Sequence, residues 1–187
     1  LNEGFAWLDA VLGWPYYKAI GTLGFYNFHV FVLLAGNAFF LTLMFSQTKI
    51  GFLPAFSLSM IALLHPFAQH EIFHGRPTQM HLWFQALFLL SIYKLLYEEA
   101  KIRWSIIGGL SLAGACLVYW FGAAALGFVG AIAFVLAWFE KRSSKTLKGG
   151  LLLAGLGMGI CLWVTWRISV LYLTGQNDNL FPHLEEK

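Results

Sequence analysis

The chain has 187 residues, 59% of them apolar and only 11% charged, and its mean hydropathy is +0.68. An ordinary soluble domain is about 45–50% apolar and about 25% charged. The composition therefore excludes a disordered chain, a soluble enzyme and a nucleic-acid reader, and makes lipid the solvent for most of the protein. The formal net charge of +3 is spread along loops and is too small to indicate a polyanionic partner.

The expected fold is all-α: a single-domain polytopic membrane protein over residues 1–187, with six transmembrane helices and an interfacial N-terminal helix. Residues 1–18 hold Phe5, Trp7, Leu8, Val11, Leu12 and Trp14 among polar residues, a spacing that suits a short helix at headgroup level. Glu3 and Asp9 against the single base Lys18 give this stretch the wrong charge for a signal-peptide n-region.

The first span is expected at 20–45. The second is expected at 54–74, with Pro54 in the first turn, where its missing N–H costs nothing, and Gly75 just past the end. Such a helix would rise about 31 Å, and Pro66 inside it should kink it near Ala62. The alternative is a helix that stops at His65, with 66–77 as an outer loop. Thr78 can cap the third span, 78–97. The fourth and fifth are expected at 104–121 and 123–139. One helix over both would be about 54 Å long, too long for a hydrocarbon core of about 30 Å, so the chain should turn at Gly122. The sixth span is expected at 150–173.

Lys49, Lys101, Arg103, Lys141, Arg142, Lys145 and Lys148 fall in alternate loops of this scheme, and the other side has only Lys18, Arg76 and the tail residue Lys187. By the positive-inside rule the basic loops are cytoplasmic and both termini lie outside. Gly109/Ala113, Gly127/Ala131 and Gly155/Gly159 are small-xxx-small pairs that let helices pack closely in lipid. Cys116 and Cys161 lie in apolar runs without a CxxC and read as buried free thiols.

The histidines carry the only chemical signal. His65, His70, His74 and His81 fall within HPFAQHEIFHGRPTQMH, around the outward turn between spans two and three. His70, Glu71 and His74 form an HExxH. On a helix, positions i and i+4 share a face, so two imidazoles can grip one metal ion with the glutamate as base. The partial negative charge at a helix C-terminus favours the cation. His81, returning across the turn, is a candidate third ligand and His65 a fourth. Iron and zinc are the ions expected. The competing reading is a cluster of solvated histidines at the water–lipid boundary.

Residues 69–78, QHEIFHGRPT, resemble the first histidine box of membrane fatty-acid desaturases, HExxHG followed by Pro-Thr. The resemblance implies that His70 and His74 would be iron ligands in a di-iron centre that activates oxygen against an acyl chain. It covers ten residues. The family's HxxHH box and its further box near the C-terminus are absent, since only His81 and His183 follow.

An intramembrane zinc protease would need an acidic ligand on a later span, and Glu98, Glu99 and Glu140 only flank those spans. Haem ligation is disfavoured because His29 should lie about 14 Å below the outer end of span one, whereas His81 should lie at the surface. His29 is expected to hydrogen-bond near Asn27 or Asn37. Arg167 in span six should face protein, water or an anionic group. No chain of acids or filter loop marks a pump, although a small-solute channel is compatible with the spans. Two functional classes follow. One is a metal-dependent enzyme with ligands His70, His74 and His81, Glu71 as base and a lipid-like substrate. The other is a non-catalytic subunit of a larger membrane complex, contacting lipid and partner helices.

Overall fold

Long apolar runs without polar alternation favour helix over a half-buried strand. The computed structural model describes residues 7–47, 50–74, 80–97, 102–141 and 144–173, and these are helical with no strand. The helices are α1 (Trp7–Ser46), α2 (Phe52–Leu63), α3 (Pro66–Phe73), α4 (Leu82–Tyr97), α5 (Ile102–Val118), α6 (Trp120–Lys141) and α7 (Ser144–Leu173). Three stretches are long and apolar enough to cross a membrane: Pro15–Ser46 of α1, Gly122–Glu140 of α6 and Ser144–Arg167 of α7. The α2, α4 and α5 helices are equally apolar but have 12, 16 and 17 residues. They rise about 18, 24 and 26 Å, short of a ~30 Å hydrocarbon core.

Several boundaries differ from the sequence expectation. Helix α1 contains a break at Gly21 (φ 71°, ψ 178°), a conformation open to glycine. It divides an N-terminal piece, helical from Trp7 on, from the long apolar piece. Residues 54–74 are not one kinked helix, and 66–73 are not a loop. The chain leaves α2 after Leu63 and starts α3 at Pro66. Proline has no N–H to continue the ladder and disfavours helical geometry at the residue before it, here His65. The last turn of α2 tightens, with His65 N–H donating to Ala62, and the His65 carbonyl then accepts from Ala68 at 2.9 Å to begin α3. Pro54 does sit in the first turn of α2, after Gly51 at φ 80°. The break between α5 and α6 falls at Tyr119, not Gly122, which lies within the first turn of α6. Gly75 and Thr78, the expected helix end and cap, lie outside the described residues.

Packing is organised around α4. On one side Phe88, Ile92 and Leu95 join Leu112, Cys116, Ala123, Leu126 and Leu153 in the largest buried cluster, which draws on α4, α5, α6 and α7. On the other side Ala86 meets Leu41 of α1 and Leu63 of α2. Glycines set the close approaches. A Cβ on Gly36 would lie 2.5 Å from the Trp83 ring, and one on Gly114 would lie 2.4 Å from Phe84. Gly108 and Gly109 take Leu153 and Leu156 of α7, and Gly157 takes Leu112. These pairs rise together along both helices, so α5 and α7 run parallel. Phe84 with Gly114 and Ser91 with Gly108 make α4 antiparallel to α5. Gly36 with Trp83 and Leu41 with Ala86 make α1 parallel to α4.

Of the small-residue pairs, Gly109/Ala113 is buried, whereas Gly127, Gly155 and Gly159 face open space. Cys116 is buried and Cys161 half-buried, both as free thiols.

Candidate functional site

The candidate residues gather at the end of the bundle where α3 abuts α1 and the start of α4. The opposite end carries Arg103, Lys145 and Lys148, all exposed. Helix α3 is amphipathic on a small scale. Ala68, Glu71 and Ile72, spaced i, i+3 and i+4, turn towards the bundle, and Ala68 is buried with Leu33 of α1 and Met80. The Tyr26 hydroxyl of α1 donates to the Ile72 carbonyl, one of the last-turn carbonyls that a helix leaves without an internal partner.

His70 and His74 occupy the exposed face of the same helix. Their rings stack, with centroids 3.9 Å apart and planes 23° from parallel. His74 Nδ1 donates to the His70 main-chain oxygen at 2.8 Å. His70 Nδ1 lies 3.2 Å from Oε1 of Glu71. Glu71 is 4% exposed, while the His70 side chain is 54% exposed. One turn of HExxH thus has two imidazoles open to the surroundings and a carboxylate beneath one of them.

The other candidates lie elsewhere. His65 is exposed at the break between α2 and α3. His81 does not lie at the surface. It is 7% exposed, directly before α4, and packs at 5.6 Å from the ring of His29 and 5.2 Å from that of Trp83. The depth mismatch expected between His29 and His81 is therefore absent. The cause is the break at Pro66, which ends α2 early and lets α3 and the start of α4 settle against α1. Among the described residues no three His, Cys, Asp or Glu side chains group so as to hold a metal ion. The structure brings His70, Glu71 and His74 together and sends His81 into the seam between α1 and α4.

The sequence reading missed the role of Asn37. Its side chain is fully buried, donates to the Met80 carbonyl and accepts from Trp83 N–H at 2.9 Å. It caps α4 from a neighbouring helix. The signal was present: Tyr26, His29, Leu33 and Asn37 fall at i, i+3, i+7 and i+11, one stripe of α1, and a buried amide must find partners.

Comparison with protein-family models, with curated proteins and with solved structures gives no match.

Proposed function

We propose that this is a six-span membrane protein that binds one divalent transition-metal ion at its outward end through His70 and His74. The observation that carries the reading is the exposed i, i+4 pair of imidazoles on one helical turn; the rings stack in the structure and must turn apart for both to reach one ion. Two protein ligands leave positions open on the ion for water or for an oxygen of a lipid headgroup. That arrangement suits Lewis-acid chemistry on a lipid-like substrate at the membrane surface.

Support for the spans comes from packing and exposure. Leu23, Phe31, Phe39, Ile61, Phe128, Leu136, Phe139, Leu151 and Leu162 are each more than half exposed, and water would penalise such a surface. The alternation of six crossings requires α1 parallel to α4, α4 antiparallel to α5 and α5 parallel to α7, as the glycine contacts have them. Helices α2 and α3 together supply one broken crossing. Metal analysis of the purified protein after equilibration with zinc tests the reading: one ion per chain is expected, lost in His74→Ala, and no bound ion overturns it.

A second reading, a non-catalytic subunit of a membrane complex, is favoured by the open glycine edge of α7. Gly155 and Gly159 have nothing within 4 Å of an added Cβ, and they lie beside exposed Met158, Leu162 and Trp163. Such an edge admits another helix. Cross-linking in native membranes would recover a partner if this reading holds, and monomers alone if it fails.

A further inference from the structure

Two glycine contacts set the register of α5 on α7. Leu153 packs against Gly108, and Leu112 packs against Gly157. From one contact to the other each helix advances four residues, just over a turn. The same step taken once more brings Cys116 level with Cys161. The two thiols do lie within hydrogen-bond reach of each other, and both are free. Cys116 is buried in the cluster that holds Leu112 and Leu153, and the half-buried Cys161 packs against that cluster. The helices run close enough there to be joined. A Cβ on Gly157 would lie 2.9 Å from Leu112 Cβ, whereas a disulfide spans about 3.5–4.5 Å between its Cβ atoms.

We propose that Cys116 and Cys161 form a dithiol site that is oxidised to a disulfide by a small-molecule disulfide, and that the new bond clamps α5 to α7. Exposure sets the order of events. Cys161 is the sulfur that a reagent can reach from outside the bundle, and Cys116 lies behind it. The Cys161 sulfur, as thiolate, attacks one sulfur of the reagent. The reagent's S–S bond breaks, a mixed disulfide forms and one thiolate leaves. The Cys116 sulfur, as thiolate, then attacks Cys161 Sγ, the protein S–S bond forms and the second thiolate leaves. The protein gives up two protons and two electrons, and the reagent ends as two thiols. The product is uncharged and has no hydrogen-bond donor, so the apolar seam does not penalise it. Cys116 is two residues from the end of α5 at Val118. In the six-span arrangement that end faces outward, towards the compartments where disulfides persist; the pairing itself does not depend on that arrangement.

The test treats the full chain in nanodiscs with dipyridyl disulfide, which enters lipid and whose released thione is read by absorbance. The expected result is two thiones per chain, an intact mass lower by two hydrogens, and a cross-linked peptide joining Cys116 to Cys161. Cys116→Ala should release one thione and stop at the mixed disulfide on Cys161. Cys161→Ala should release almost none on the same timescale, because buried thiols are inert. Oxidation of the wild-type chain should raise its unfolding midpoint in mixed micelles, because a cross-link restricts the unfolded chain, and reduction should return it. Wild-type protein that keeps a mixed disulfide on either sulfur, or that forms the internal disulfide only after unfolding in detergent, would overturn the proposal. A disulfide that forms in nanodiscs but leaves the unfolding midpoint unchanged would overturn the clamp.

Discussion

Asn37 on α1 accepts a hydrogen bond from the main-chain N–H of Trp83 at 2.9 Å and so closes the N-terminus of α4 from outside that helix. The first N–H groups of a helix lack internal partners, and here no capping side chain from the preceding loop is needed at Trp83. The same amide holds the Met80 carbonyl, so one buried residue ties α1 to the segment that carries His81.

Replacing Asn37 with Leu should therefore destabilise the fold out of proportion to the change in volume. It leaves a buried C=O and a part-buried N–H without this partner, at about 1–3 kcal/mol for the buried group. Reversible unfolding in mixed micelles would read the loss. A variant within about 0.5 kcal/mol of wild type would show that water replaces the amide.

The glycines give a paired prediction. A Cβ at Gly109 would lie 2.8 Å from Leu156 Cβ and 3.0 Å from the Leu153 main-chain oxygen, so α5 and α7 must separate to admit it. Gly109→Ala should cost about 1–3 kcal/mol. Gly155→Ala meets nothing within 4 Å and should be neutral or stabilising by up to about 1 kcal/mol from helix propensity. The same unfolding assay separates them; equal effects would contradict the packing described.

These glycines also show what a membrane sequence conceals. Gly109/Ala113 and Gly155/Gly159 are the same motif, yet one is buried and the other open. In a soluble helix the inward face is marked by apolar residues. In lipid both faces are apolar, so the periodicity that would have sorted them is missing. Helix ends were legible where chemistry marks them, as at Pro54. The break at Tyr119 carries no such mark: neither Gly nor Pro stands there, and the expected turn at Gly122 lies three residues on. Pro66 was visible, but whether it kinked or ended a helix depended on what lay beyond it. That choice moved His81 from an exposed turn to a buried seam. The His70–Glu71–His74 turn was legible because local spacing alone puts its two histidines on one face.

Arg167 is exposed on α7, with Trp163 and Trp166 each 60% exposed beside it. From Gly149, which packs on Leu95 and Ser105, Arg167 is about 27 Å along the helix. In the proposed six-span arrangement that height would match the far headgroup layer, where Trp and Arg are at home. Arg167→Leu should change stability by less than about 1 kcal/mol. A stabilisation of about 2.5 kcal/mol or more would mean that the guanidinium had faced acyl chains at mid-depth.

The topology is checked by labelling. In a background with Cys116 and Cys161 replaced by Ala, single cysteines at the exposed positions Gln69 and Ser144 should react with an impermeant reagent from opposite sides. Ser144→Cys should be the one protected in intact cells. Labelling of both from the same side would remove the six-span arrangement.

Joint binding of one metal ion by His70 and His74 is tested most directly by X-ray absorption at the zinc edge. Zinc-loaded protein should show two imidazole nitrogens at about 2.0–2.1 Å, with oxygen completing the shell, and His74→Ala should abolish that two-imidazole signature while the bundle stays folded. A spectrum with three or more imidazoles, or one unchanged in His74→Ala, would contradict the account.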